Sequence, residues 1–208
     1  MIRSMVITAF RDDARQSALL HEIAEVRMGY SFRSGVDPDP SGPVAVIQMK
    51  DLREDQTVAL DLLAHVSMGV SLEQEVRADD IIIRSRGERA TSAIVTENPG
   101  CAIVAAPLLR IRVTDERVLP AYLNWFINQP PAQAHLVRHA EGSRVKMFSK
   151  HAVDDLEVEV PPRDRQDDIV ELAGLVARVQ ALETDLDSLR TKLVSEVMLG
   201  YARGSEGR

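Results

Sequence analysis

The chain has 208 residues, of which 45% are hydrophobic, 27% charged and 4% aromatic, with a formal net charge of −7 and one cysteine. That size accommodates one core-forming domain plus an appendage, and the composition excludes a low-complexity or collagen-like chain. Cys101 alone excludes an internal disulfide and a cysteine-based metal framework.

From the start, Arg3, Arg11, Asp12, Asp13 and Arg15 spoil a secretory leader, and no apolar run approaches a membrane span. A cytoplasmic protein without membrane contact is expected, with residues 1–19 as an N-terminal extension. Leu20 to Val26 reads as a short helix. Two glycines within Arg27 to Gly35 then mark a turn-rich loop, and the three prolines of Asp37 to Pro43 an exposed turn. Val44 to Met49 reads as a strand, and Val58 to Val70 is ambiguous: Ala59, Leu62, Leu63 and Val66 are helix-spaced, yet the segment is short. Ile81 to Ile83 is a β-branched strand, followed by the basic turn Arg84-Ser-Arg-Gly-Glu-Arg89.

Strands are expected at Ala93 to Thr96 and Ala102 to Ala106. Leu108 to Val113 alternates Leu109, Ile111 and Val113 with Arg110 and Arg112, the pattern of a half-exposed strand whose arginines face water. Two helices follow, Pro120 to Ile127 and Ala132 to His139, separated by Pro130-Pro131. Tyr122, Trp125 and Phe126 at helical spacing read as core rather than as a base-stacking platform. Gly142-Ser-Arg-Val-Lys146 is a second basic turn, and Leu156 to Val160 a final strand ending at Pro161-Pro162.

The last stretch, Arg163 to Leu199, differs in kind. Leu172, Leu175, Val179, Leu182, Leu186, Leu189 and Leu193 recur in alternating steps of three and four. This is a narrow a/d seam held for three heptads, and Gly200 stands where a helix stop is expected. A helix of that length would be about 55 Å long, too long to bury its stripe in a small domain of its own. It implies a partner helix. The fold class expected is α+β: a mixed head with short strands over 20–160, a coiled-coil-type helix over 163–200, and a disordered tail over 201–208.

The charge is unevenly spread. Acidic residues exceed basic ones by 14 to 8 over 1–80, whereas basic residues lead by 10 to 5 over 81–151. That fits a local anion-facing surface on an acidic body. No phosphate-binding glycine loop, nucleophile elbow or metal-ligand spacing is present; His135 and His139 lack a third ligand, and Asp79-Asp80 lacks the lysine a nuclease site needs.

Several segments together resemble the specificity subunit of type I restriction–modification systems. They are Glu22 to Arg33, Val46 to Leu52, Asp80 to Gly87, Pro120 to Ile127, Gly142 to Lys150, and Leu156 to Val170 leading into the long helix. The likeness spans roughly residues 20 to 199. It implies a target recognition domain that reads a short DNA sequence, carried on a helical spacer and without catalytic residues. Partners implied are double-stranded DNA, a methyltransferase subunit that binds the S-adenosylmethionine used to methylate adenine, and a motor–nuclease (restriction) subunit in the full complex. The chain itself would need no cofactor or metal. Family members usually carry two heads and two antiparallel helices. This chain has one of each, so a homodimer through Leu172, Leu175, Val179, Leu182, Leu186, Leu189 and Leu193 would rebuild the pair and read a palindromic split site.

Within such a head, phosphate contacts supply affinity and base-edge contacts supply sequence. The candidates are Arg84, Arg86 and Arg89 in the first basic turn, Ser143, Arg144 and Lys146 in the second, and Tyr30, Ser31 and Arg33 in the early loop. A reading from another class is a structural adaptor that joins proteins through its helix without touching DNA.

Overall fold

The structure, a computed structural model, describes residues 16–33, 35–142 and 145–202. Expectations for residues 1–15, for Ser143 and Arg144 and for 203–208 lie outside the described residues. The chain divides into two units, with the boundary between Asp167 and Asp168.

Among the described residues, three sheets build the first unit. Strand β1 (Ser17–Leu19) runs antiparallel to β9 (Glu157–Glu159), tying the beginning of the described chain to the end of the head. A four-stranded antiparallel sheet has the order β2 (Ala24–Met28), β8 (Leu108–Val113), β5 (Ile81–Arg84), β6 (Ser92–Ile94). The third sheet places β3 (Val44–Ile47) between β4 (Ala64–Val66), antiparallel, and β7 (Ala102–Val104), parallel. Β-branched and small apolar side chains from both larger sheets, including Ile47, Ile82, Val95, Val104 and Leu108, form one buried cluster. Four short helices, α1 (Leu20–Ile23), α2 (Pro120–Ile127), α3 (Pro130–Arg138) and α4 (Lys150–Asp154), complete the head's described residues.

Helix α2 packs on β6 through a polar seam. Asn128 Nδ2 donates to the Ser92 hydroxyl (2.9 Å) and to Gln56 Oε1 (3.1 Å), and Ser92 Oγ donates to Asn124 Oδ1 (2.8 Å). These bonds, with the Ile94 N–H on the Gln56 carbonyl, hold Gln56 in a left-handed conformation (φ 64°) that a residue with a side chain enters at a cost. Tyr122 and Phe126 are core, as expected. The Tyr122 hydroxyl donates to the Glu159 carbonyl at 2.6 Å, and burial pushes it up to about 12. His135 and His139 engage backbone carbonyls of Ala152 and His135, and burial lowers the His135 ring.

Four expectations for the head's elements need correction. The helix begun at Leu20 stops at Ile23, and Ala24 to Val26 continue as β2, because their partner β8 offers five consecutive paired positions. Val58 to Val70 is not helical; it contains β4. Pro130 and Pro131 are the first helical residues of α3, where missing N–H groups cost nothing, rather than a break before it.

The fourth correction concerns β8. Arg110 does not face water: it is 2% exposed. The segment from Glu75 to Asp80 lies across that side of the sheet. Arg110 Nη1 and Arg112 Nη2 both donate to the Glu75 carbonyl (2.8 and 2.9 Å), and Arg112 grips the Asp80 carboxylate through Nε (2.7 Å) and Nη2 (2.6 Å). Asp80 is itself 1% exposed, and its carboxylate also receives the Arg77 N–H. Desolvation pulls the Arg110 guanidinium down, partly offset by Asp80, whereas the hydrogen-bonded Asp80 raises Arg112. A charged side of a sheet thus becomes interior through carboxylate and carbonyl partners, as buried charge requires.

Helix α5 (Arg163–Ala202) has 40 residues, a rise of about 60 Å. It runs through Gly200 to Ala202, the last described residue, so it does not stop at the expected glycine; a Cβ at Gly200 would meet nothing within 4 Å, and no left-handed turn uses it. Its first turn belongs to the head. Gln166 is fully buried, accepting the Leu119 N–H (2.8 Å) and donating to the carbonyls of Arg117 and Pro161 (2.8 Å each). In the second unit the seam residues are all exposed, from 45% at Leu175 to 69% at Leu182. No helix among the described residues is long and apolar enough to cross a membrane.

Candidate nucleic-acid interface

Arg84 ends β5 and the loop after it carries Ser85, Arg86, Gly87 and Arg89, and the segment 145–148 lies beside this loop although about sixty residues separate them in sequence. The Phe148 N–H donates to the Ser85 carbonyl (2.8 Å) and the Gly87 N–H to the Lys146 carbonyl (3.1 Å), so Arg86 and Met147 pair as neighbours in a short antiparallel ladder. On its other side Met147 exchanges two bonds with Glu141 (2.8 and 2.9 Å). The buried Phe148 ring anchors the strip to the core. Gly142 closes the turn with φ 89°; a Cβ there would stand 2.7 Å from the Val145 carbonyl oxygen.

A third segment reaches the same place. Residues Ala105 to Pro107 form the turn between β7 and β8, and this turn has two clients. Tyr30 pairs with Ala105, donating to the Val104 carbonyl (2.7 Å) and accepting the Ala106 N–H (2.9 Å). From the opposite direction Ser85 donates to the Pro107 carbonyl through both N–H (3.1 Å) and hydroxyl (2.8 Å). The early loop and the first basic turn therefore meet at one turn that carried no signal in the sequence, and the second basic segment joins them by pairing with the first.

The approach of the early loop depends on Gly29, where a Cβ would come within 2.7 Å of the Ala105 carbonyl carbon. Gly29→Ala is expected to destabilise the head by about 1–3 kcal/mol through this backbone clash, read by chemical denaturation.

Individual candidates are placed as follows. Arg86 and Arg89 are exposed and Lys146 half-buried, while Ser31 and Arg33 are exposed and Tyr30 stacks edge-on against Phe32 (4.8 Å between centroids). Arg84 behaves differently: its guanidinium turns inward, donating to the carbonyls of Met49 (3.3 Å) and Leu52 (3.2 Å), and its Nε is buried without a partner. It clamps the 3-10 turn Met49–Asp51 beside the basic loop. That clamp adds an exposed cation which sequence reasoning missed, Lys50, because nothing local links residue 50 to residue 84. Among the described residues, Arg33, Lys50, Arg86, Arg89 and Lys146 form no ion pair, unlike Arg27, Arg53, Arg110, Arg112 and Arg117. Glu88 and Glu141 are the acidic neighbours in the two basic turns. Unpaired cations on backbone held in place by hydrogen bonds suit an anionic polymer rather than a small metal-bound ligand.

Comparison with solved structures bears on the fold. The chain superposes on a chain from a structure of the type I R-M system concerned with complex assembly and conformational transition (TM-score 0.64, 14% identity, 95% of this chain and 47% of that one). It is also similar to the HsdS subunit from Thermoanaerobacter tengcongensis (TM-score 0.55, 14% identity, 84% and 40%). The type I restriction–modification S subunit from M. genitalium gives a TM-score of 0.56 at 10% identity, covering 94% and 48%. The chain has the specificity-subunit fold. It spans about half the length of those S-subunit structures. No protein-family model and no curated protein matches the sequence. At these identities the specificity-subunit likeness lies in backbone architecture, and the α+β head followed by a long helix is common ground.

Proposed function

We propose that this chain is the DNA-recognition subunit of a type I restriction–modification system, in a form with one head. In this reading it has no catalytic role. It directs an adenine methyltransferase subunit, which binds S-adenosylmethionine, and a restriction subunit where one exists, to a split site. Two copies pair through their α5 helices to present two heads. The observation that carries the reading is the meeting of the early loop and the first basic turn at the Ala105–Pro107 turn, with the second basic segment paired to the first, in a chain with the specificity-subunit fold.

Arg86, Arg89, Lys146, Lys50 and Arg33 are its DNA-facing residues; Ser31 and Tyr30 sit beside them. Arg84 is assigned to holding the Met49–Leu52 turn rather than to reading bases. Ser143 and Arg144 keep their place as candidates on sequence grounds alone.

Methylome sequencing of a host with and without the gene is the direct test: methylated adenines in one palindromic split motif should vanish when the gene is removed. An unchanged methylome with the methyltransferase present would overturn the reading. On the assembled complex, Arg86→Ala or Lys146→Ala at a phosphate contact is expected to weaken all sequences alike and lower the salt slope by about 1. At a base contact the loss falls on one position and amounts to about 1–3 kcal/mol.

A further inference from the structure

The exposed seam of α5 does more than invite a partner; the charges beside it specify how a second copy would lie. With Leu172 at position a and Leu175 at d, Glu171, Arg178, Asp185 and Lys192 occupy the flank preceding a (g), and Val176, Glu183 and Arg190 the flank following d (e). Glu171, Arg178, Asp185 and Lys192 are exposed, and among the described residues none forms an ion pair within its own chain.

When two identical helices run antiparallel, the g flank of one meets the g flank of the other and e meets e. Two registers bury three pairs of apolar layers, each occurring twice. With the two-fold axis between residues 180 and 181, Leu172 faces Leu189 of the second copy, Leu175 faces Leu186 and Val179 faces Leu182. The g flanks then set Glu171 against Lys192 and Arg178 against Asp185, each twice, all of opposite sign. Sliding by one heptad, to an axis at Thr184, keeps three apolar pairs but sets Arg178 against Lys192, Asp185 against Asp185 and Glu183 against Glu183. Every flanking contact of like residues or like sign is then repulsive.

A parallel, in-register pair also satisfies part of the pattern, through Arg178 with Glu183 and Asp185 with Arg190. It stacks Asp168 on Asp168 and Glu196 on Glu196 at the d positions that end the seam, whereas the antiparallel pair sets Asp168 against Leu193 and opposes no two like charges.

We infer that two copies of this chain pair their α5 helices antiparallel with the axis between Gln180 and Ala181, the register being chosen by Glu171–Lys192 and Arg178–Asp185 contacts. This rests on the pairing in the proposed function and fixes its geometry. The two Arg163 positions then stand about 52 Å apart along the helix axis, against about 63 Å in the slid register. The difference is about a third of a DNA turn, so the flanking charges choose which spacing of half-sites the pair addresses.

The test uses the full chain with Cys101→Ser. Leu172→Cys and Leu189→Cys chains are oxidised separately and as a mixture, with sedimentation giving the oligomeric state. Cross-linked dimers should form only in the mixture. In a parallel pair each chain would cross-link alone, and in the slid register the mixture would stay uncross-linked; a dimer with either outcome overturns the register while leaving pairing intact. A monomer at all concentrations would overturn pairing as well. Independently, Lys192→Glu should weaken dimerisation about ten-fold by making two contacts repulsive, and adding Glu171→Lys should restore it. A parallel pair, in which residues 171 and 192 face Val176 and Val197, would respond to neither.

Discussion

Asp80→Ala is expected to be the most damaging single change in the head, at about 3–5 kcal/mol. The carboxylate is 1% exposed and receives two bonds from Arg112, with Arg110 Nη1 3.8 Å away. Removing it leaves guanidinium charge in the interior without its counter-ion. It also releases the Arg77 N–H that Asp80 caps, loosening the segment that covers this side of the sheet. Urea denaturation of the full chain would measure the loss. The exposed pair Arg117–Asp115 supplies the comparison: Arg117→Ala should cost far less than Asp80→Ala, because water replaces the partner. Equal losses from the two variants would show that the Asp80 cluster contributes nothing beyond a surface ion pair.

Leu182→Glu is expected to have the largest effect on assembly while leaving the head unchanged. The side chain is 69% exposed in the single chain, so folding of the monomer has little to lose. In a symmetric pair the substitution occurs twice. Each copy forfeits about 1.5–3 kcal/mol of leucine burial and adds a carboxylate beside Val179 of the other helix. Together these amount to at least about 4 kcal/mol, or a dissociation constant raised about 10³-fold. Sedimentation velocity across a concentration series would read this directly, and a wild-type dimerisation curve for Leu182→Glu would exclude the seam as the interface.

The sequence showed those elements whose signal is local. Ile81 to Ile83 and Leu156 to Val160 carry strand character in their own residue types, and the heptad spacing from Leu172 to Leu193 announces the long helix. Ala24 to Met28 was hidden because Glu22, Ile23, Glu25 and Val26 also satisfy a helical pattern, and only pairing with β8 decides between the two. Arg110 and Arg112 misled for a related reason: alternation reports which side chains share a face, not which face is later covered, and here residues 75–80 cover the charged one. In the candidate site, the basic turns were visible singly through their arginines and glycines. Their meeting was not, since it rests on backbone pairing of residues 85–87 with 146–148, about sixty residues apart. Nor could Arg84 be separated from Arg86 by composition; one is held by the carbonyls of Met49 and Leu52 and the other is exposed.

The shared turn between β7 and β8 bears on which changes to the head's loops the backbone would tolerate. A basic loop transplanted alone from another protein would arrive without the backbone that completes its hydrogen bonds, since the loop after β5 borrows them from residue 107 on one side and from residues 146–148 on the other. Recombination that trades whole heads, with joints outside 16–160, would keep all of these donors and acceptors together. Piecemeal grafting would strand them.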